Sequence, residues 1–312
     1  MFLYLTVQMR FCLQRLSVLA FATVFSGCEG APPVIDEAEY GRSMAKFKVD
    51  RRHEIGGPDG WITLVGLFWL VPGANAVGSG ASNPVRLPAD RAPARLGTLW
   101  VHGDSVRFSA APGSSVTADS QPATDIAMRY DAHRATILSS GSLSMTVLER
   151  GGKLGLRVRD SAHPSRAAFA DVSYFPVDTA WRMRGKLVRH AQPETLQIVN
   201  VLGMVSPQAS AGTLEFAAGG KSHRLDVYHE GTDSSYYFVL FKDSTSARET
   251  YPAGRYLKVV AADMHDRVVI DFNRAYNPPC AFTAFATCPL PPRQNALALR
   301  ITAGELRPVD EH

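Results

Sequence analysis

From Trp61 onward the chain is built of short apolar runs separated by glycine, proline and aspartate, as in "WITLVGLFWL", "LGTLWVHGDSVRFSA" and "LSMTVLERGGKLGLRVRD". Alternation at period two sends successive side chains to opposite faces of a sheet, which is the signature of half-buried strands. The second and third runs read as hairpins. In the third, Gly151-Gly152 supplies the positive φ values that a tight turn requires. "TLEFAAGGKSHRLDVYHE" repeats this logic across Gly219-Gly220, and "YYFVLF", "RYLKVVAA", "DRVVIDF" and "ALALRITA" follow as further strands. Helical period is confined to "DEAEYGRSMAKFKVDRRHEIGG". There Asp36 and Glu39 stand at capping-box spacing, Tyr40, Met44 and Phe47 share a face, and basic residues precede Gly56-Gly57. Many closely spaced strands without a second helix predict a mainly β protein, an antiparallel sandwich or open barrel with one N-terminal amphipathic helix. The apolar face of that helix is narrow and acids lie in its first turn, so it is expected to cover an end of the β-structure rather than a membrane.

The N-terminus follows a different pattern. Arg10 and Arg15 precede an apolar run from Leu16 to Phe25 that closes on Ser26-Gly27-Cys28, the charge and length pattern of a signal peptide. A membrane span needs roughly 20 apolar residues, more than this run has. Phe25-Ser26-Gly27-Cys28 resembles the lipobox of bacterial lipoproteins, which makes Cys28 the lipidated first residue of the mature chain. Glu29 follows it instead of the aspartate that resembles an inner-membrane retention signal, so the outer membrane, facing the periplasm, is the expected location. The expected organisation is a leader over 1–27, a lipidated tether over 28–35, the helix over 36–56 and a single β-rich domain over 57–312, with a possible seam near 190–195. The 312 residues suffice for a large core. The formal charge of +4 falls to about +2 once Arg10 and Arg15 leave with the leader, and nothing points to nucleic acid.

Cys12 leaves with the leader and Cys28 takes the lipid, so Cys280 and Cys288 remain as an even pair in an oxidising compartment. A disulfide leads the readings, with free thiols and metal as the alternatives. Closing so short a loop contributes roughly 2–3 kcal/mol in the chain-entropy picture. The spacing is not one expected of zinc ligands and no histidine lies between the two cysteines. His223 and His229 share a strand face, which permits a metal pair but fits exposed hairpin histidines better. The sequence names no cofactor, metal or protein partner. It has no G-x-S-x-G, no H-E-x-x-H, no phosphate-binding glycine loop and no dinucleotide fingerprint.

Polar chemistry gathers in "FKDSTSARETYPAGRYL" and "DFNRAYNPPCAFTAFATCPLPPRQN", and then around "AGE". Together with "WITLVGLFWLVPGANAVGS", "GLRVRDSAHPSRAAF", "YFPVDTAWR" and "VNVLG" upstream, these segments resemble, in order, the bacterial domain-of-unknown-function family 1684. The resemblance covers roughly residues 40 to 306. It implies that the segments form one module and says little about activity.

The loop from Asp271 to Asn295 is too rich in proline for helix or ladder. A stiff polar loop suits a preorganised site. Arg157, Asp243, Tyr251, Arg255, Asn273, Asn277 and Asn295 are the candidate ligand contacts for a small polar or anionic molecule, with Arg159 sharing the Arg157 face. Asp271, Glu305 and Tyr276 are the candidates for a hydrolytic alternative, the first two as acid and base. Cys280 as a nucleophile is a poorer option, having no neighbouring histidine in sequence. The structural alternative is that Asp271 and Asn273 cap turns, Arg255 braces Glu305, and the loop plugs a barrel end.

Overall fold

Asp36 opens the helix Glu37–Gly56 by accepting the Glu39 amide at 2.9 Å, the capping contact expected from the spacing. This is a computed structural model, and it describes residues 35–308 apart from 132, 133 and 232. The leader and Cys28 lie outside the described residues. Met44, Arg51 and Ile55 form the buried stripe of the helix, flanked by half-buried Tyr40 and Phe47. An arginine therefore occupies the middle of the face that packs on the β-structure. Among the described residues no helix is long and apolar enough to cross a membrane.

Two antiparallel sheets follow, joined face to face. One runs in the order Leu64–Trp69, Lys153–Asp160, Leu143–Arg150, Leu138–Ser140, Thr117–Ala118 and Gln121–Pro122. The other runs Val85–Arg86, Gly73–Gly78, Gly97–His102, Ser105–Ala110 and Asp125–Met128, with only the two-residue strand Val85–Arg86 parallel to its neighbour. Their alternating inner residues, among them Leu99, Phe108, Met145, Leu156 and Val158, make one core. The hairpin at Gly151-Gly152 turns with φ of 57° and 75°, as its sequence requires.

A third sheet is seven-stranded. Its path runs Arg255–Val260, Tyr236–Phe241, Lys221–Tyr228, Val205–Ala218, Arg182–Val188 and Arg267–Asp271, and Thr195–Val199 also pairs with the long Val205–Ala218. The two end strands come alongside each other without a ladder between them, so the sheet curls into a nearly closed, barrel-like form. Leu214, Leu225, Val239, Leu257, Ile270 and Phe272 fill it.

Tyr236–Phe241 is buried almost throughout, which explains the unbroken apolar run "YYFVLF". Tyr237, Val239 and Phe241 face the barrel core, whereas Phe238 and Leu240 face outward into a second cluster with Leu196, Tyr256, Ala286 and Cys288. The loop after Asp271 is what covers that outer face. Further along the same loop, Ala281 and Phe282 pack with Ile55 at the end of the helix and with Ile62 and Val172.

Candidate functional site

The carboxylates and amides singled out in the sequence separate into three places. The first is internal to the barrel. Arg255 and Glu305 are both 0% exposed, and they do not meet as a pair. The Arg255 guanidinium instead bridges Asp243, at 3.3 Å, to the carbonyls of Ala303 and Ile301. Asp243 also accepts from Thr245 at 2.8 Å and from the Ile301 amide at 2.8 Å. Burial pulls the Arg255 pKa down and Asp243 opposes it. This cluster clamps the last segment of the chain across the barrel. Asn295 does the same for another segment, accepting the Asp226 amide and donating to the carbonyls of Asp226 and Leu240.

The second place lies under the helix. Arg51 donates to Glu305 at 2.7 Å, to Glu54 at 2.6 Å and to the Asn277 carbonyl at 3.2 Å, and it stands 4.5 Å from the centre of the Tyr276 ring. Burial works against the Arg51 charge, yet Glu305 and then Glu54 outweigh it and raise its pKa. The Asn277 amide donates to Glu305 at 2.7 Å, and its side chain donates to the Leu306 carbonyl. Tyr251 donates to the Cys280 carbonyl at 3.0 Å. Here a buried ion pair ties helix to C-terminal segment.

The third place is open. A cleft of about 460 Å³ lies between the N-terminal half of the helix and the unladdered edge of the barrel. Tyr40, Ser43, Arg182, Lys258, Asp271 and Arg274 line it, joined by Ile35, Asp36 and Glu39 at the helix start. Tyr40 donates its hydroxyl to both oxygens of Asp271, at 3.0 and 3.1 Å. Burial first, and Asp271 second, push the Tyr40 phenol up, so it stays a donor. Asp271 also accepts the Asn273 amide and side chain and pairs with Arg274 at 3.4 Å. Asn273, 2% exposed, exchanges hydrogen bonds with the Asp178 backbone at 3.0 and 2.8 Å. It is a brace for the cleft wall.

Arg182 differs from its neighbours. It sits opposite Asp271 in the antiparallel ladder and stands 5.8 Å from the Tyr40 ring, yet among the described residues no hydrogen bond or ion pair holds its guanidinium, and Nη1 is buried without an acceptor. Arg274 is spent on Asp271 and on Ser43 at 2.6 Å, and Lys258 lies 3.8 Å from Glu230. Unmet donor capacity in the cleft is therefore concentrated at Arg182. The sequence shows this residue at the end of "YFPVDTAWR" without marking it as chemical. The signal it offered was a cation at the start of a strand, directly after the apolar Trp181.

Asp271 and Glu305 thus lie in different surroundings and share no pocket wall. Arg157 stands apart again, on the sheet of the first β unit, where it lines a separate cleft with Arg150 and Thr146. Cys280 and Cys288 meet as free thiols, with the Cys280 amide donating to the Cys288 sulfur at 3.0 Å, so no covalent bridge is present. The loop delivers the backbone of Cys280 to that sulfur. A hydrogen bond from Cys288 lowers the Cys280 pKa, and the same bond, with burial behind it, raises that of Cys288.

Over residues 167–306 the chain matches the model of a family described as "Protein of unknown function (DUF1684)". It is 32% identical to an uncharacterised protein of Haloarcula marismortui solved by solution NMR, covering 46% of this chain and 80% of that one with a TM-score of 0.39. The crystal structure of the FhaA FHA domain complexed with an intracellular domain gives 16% identity over 30% of this chain and 97% of that one, with a TM-score of 0.22. No curated protein matches.

Proposed function

Since the chain belongs to the DUF1684 family, whose description assigns no activity, its own side chains carry the reading, and we propose that it is a lipid-anchored envelope protein that binds a small polar molecule with one anionic group in the cleft at Arg182. The observation that carries this is the buried Arg182 nitrogen without an acceptor on the wall of an open cleft. A buried donor left unpaired costs about 1–3 kcal/mol, so a carboxylate or phosphate oxygen that draws the Arg182 guanidinium toward the cleft gains a charge-assisted bond. The cleft also presents acids, Asp36 and Glu39, beside its three cations. A ligand bearing hydroxyls as well as a negative group satisfies both, and a sugar acid is the simplest such molecule. Lipid attachment at Cys28, in the outer membrane and facing the periplasm, rests on the leader sequence.

The hydrolytic alternative finds no support in the geometry. A general base needs a free lone pair and access to a substrate. Asp271 is saturated by Tyr40, Asn273 and Arg274, and Glu305 is sealed in its ion pair with Arg51. Calorimetric titration with galacturonate tests binding, with the fluorescence of Trp181, the residue before Arg182, as a local reporter. Arg182→Met should weaken binding by about tenfold or more, the effect of one charged hydrogen bond, and Arg182→Lys by less. Equal binding by wild type and Arg182→Met, or no response of wild type to any of a panel of sugar acids, would remove this reading.

A further inference from the structure

The first β unit carries a second unsatisfied guanidinium, independent of the cleft above. Arg157 lies on Lys153–Asp160, opposite Leu67 on one side and Thr146 on the other. It lines an open cleft of about 700 Å³ together with Arg129, Tyr130, Thr146, Leu148 and Arg150. No hydrogen bond or ion pair holds the Arg157 guanidinium among the described residues, and its Nε is buried without an acceptor. The Trp61 ring lies 6.0 Å from it, and Arg159 shares that ring at 5.4 Å.

Among the described residues Arg129, Asp131 and Glu149 of the cleft are already engaged, whereas Arg150 donates only to the Glu149 carbonyl, at 2.7 Å. Arg129 binds Asp119 at 2.9 Å and the Arg134 carbonyl at 3.0 Å. Asp131 accepts the Arg134 amide at 2.8 Å, and Glu149 accepts the Gly152 amide at 2.8 Å. Among the described residues neither acid is paired with Arg157. Burial pushes the Arg157 pKa down to about 10, and the positive neighbours Arg159 and Arg150 add to the effect. Three guanidiniums thus sit within electrostatic range of one another, and among the described residues no carboxylate pairs with the innermost.

We propose that this cleft is a phosphate site, in which Arg157, supported by Arg150, holds the dianionic phosphate group of a ligand. The argument for phosphate over a carboxylate is charge: two mutually repelling guanidiniums are relieved more by a double negative charge than by a single one. The planar fork of arginine also matches two oxygens of one phosphate. Phosphate can arrive on a soluble molecule or on a lipid headgroup, and both present the same oxygens.

Calorimetric titration of the intact mature protein with pyrophosphate, at constant ionic strength set by chloride, reads the soluble source. Sedimentation with vesicles containing phosphatidic acid reads the lipid source. We expect saturable binding in at least one arm, a change in Trp61 emission on binding, and a loss of about tenfold or more in Arg157→Met. Arg157→Lys and Arg150→Met should each show smaller losses, which keeps the result readable if Arg157→Met folds poorly. Arg182→Met should bind pyrophosphate as wild type does, which separates this site from the sugar-acid cleft. Binding in the pyrophosphate arm marks a soluble ligand, and binding in the vesicle arm alone marks a headgroup. No binding in either arm, or undiminished binding in Arg157→Met and Arg150→Met, overturns the proposal.

Discussion

A buried guanidinium is tolerated where acceptors surround it, and this chain contains both outcomes. Arg51 and Arg255 are buried with carboxylates and carbonyls around them, whereas Arg157 and Arg182, half-buried with one nitrogen each out of reach of water, have a ring and an open cleft. The difference decides which of them is scaffold. Replacing Arg157 with leucine should therefore stabilise the ligand-free protein by about 1–3 kcal/mol, since an uncompensated charge leaves the interior. Urea denaturation checks it, and a clear loss of stability in Arg157→Leu would show that the charge is compensated in solution. The residue types in the C-terminal loop were legible as polar and rigid, but their direction was not. Asn273 and Asn295 point their amides at the backbone of distant segments, Asp178 and Asp226, and a period-two pattern carries no such distances. Arg255 had the right character for a hub and the wrong location for a ligand, because the strand that bears it turns that side chain into the barrel.

At the scale of elements, the helix packs through an apolar stripe that has one buried ion pair set within it. Tyr40, Met44, Phe47, Arg51 and Ile55 recur at helical spacing, so Arg51 stood on the buried face in the sequence and was the signal that its partner must be an acid. Arg51→Met leaves Glu305 buried without its counter-charge, and the expected cost is about 3–5 kcal/mol. Combining it with Glu305→Gln should recover part of that loss, because the orphaned charge goes too. Melting of both variants against wild type measures this, and a single substitution that melts as wild type would show the pair to be dispensable. The proline-rich loop is the other element with a defined job, covering Phe238, Leu240 and Tyr256. The Cys280 amide donates to the Cys288 sulfur, and the proposed oxidising compartment is where an oxidised disulfide donor would close the Cys280–Cys288 bridge. Cys280, the thiol of lowered pKa, should alkylate first in reduced protein. Unreduced peptides from protein isolated under oxidising conditions should carry the bridge. Two freely alkylatable cysteines in that material would leave the pair as structural thiols.

For the whole molecule, the period-two pattern predicted an antiparallel β protein with one helix at its start, and both a sandwich and a barrel-like sheet are present. Alternation marks which face of a strand is buried. It does not say whether a sheet meets a second sheet or its own far edge, so sandwich and barrel could not be separated in advance. The stretch near 190–195 joins two strands of the same seven-stranded assembly. The hydrophobic residues instead gather in two main cores, one in the sandwich and one in the barrel. The proposed attachment at Cys28 belongs to this scale because it would place the entire body. Fatty-acid labelling should mark the wild type and not Cys28→Ser, and equal label on both would remove the anchor.

Ile35 forms part of the wall of the Arg182 cleft. From Cys28 to Ile35 a fully stretched chain reaches only roughly 25 Å. For a protein fastened at Cys28, that reach is a leash whose far end is the cleft itself. The cleft then stays within one small-protein diameter of the lipid surface however the body tumbles, and it samples the solutes held in the thin layer next to the headgroups. An anchored protein of the proposed kind would be a short-range sensor of its own membrane face, and lengthening the leash would change what it meets before it changed what it binds.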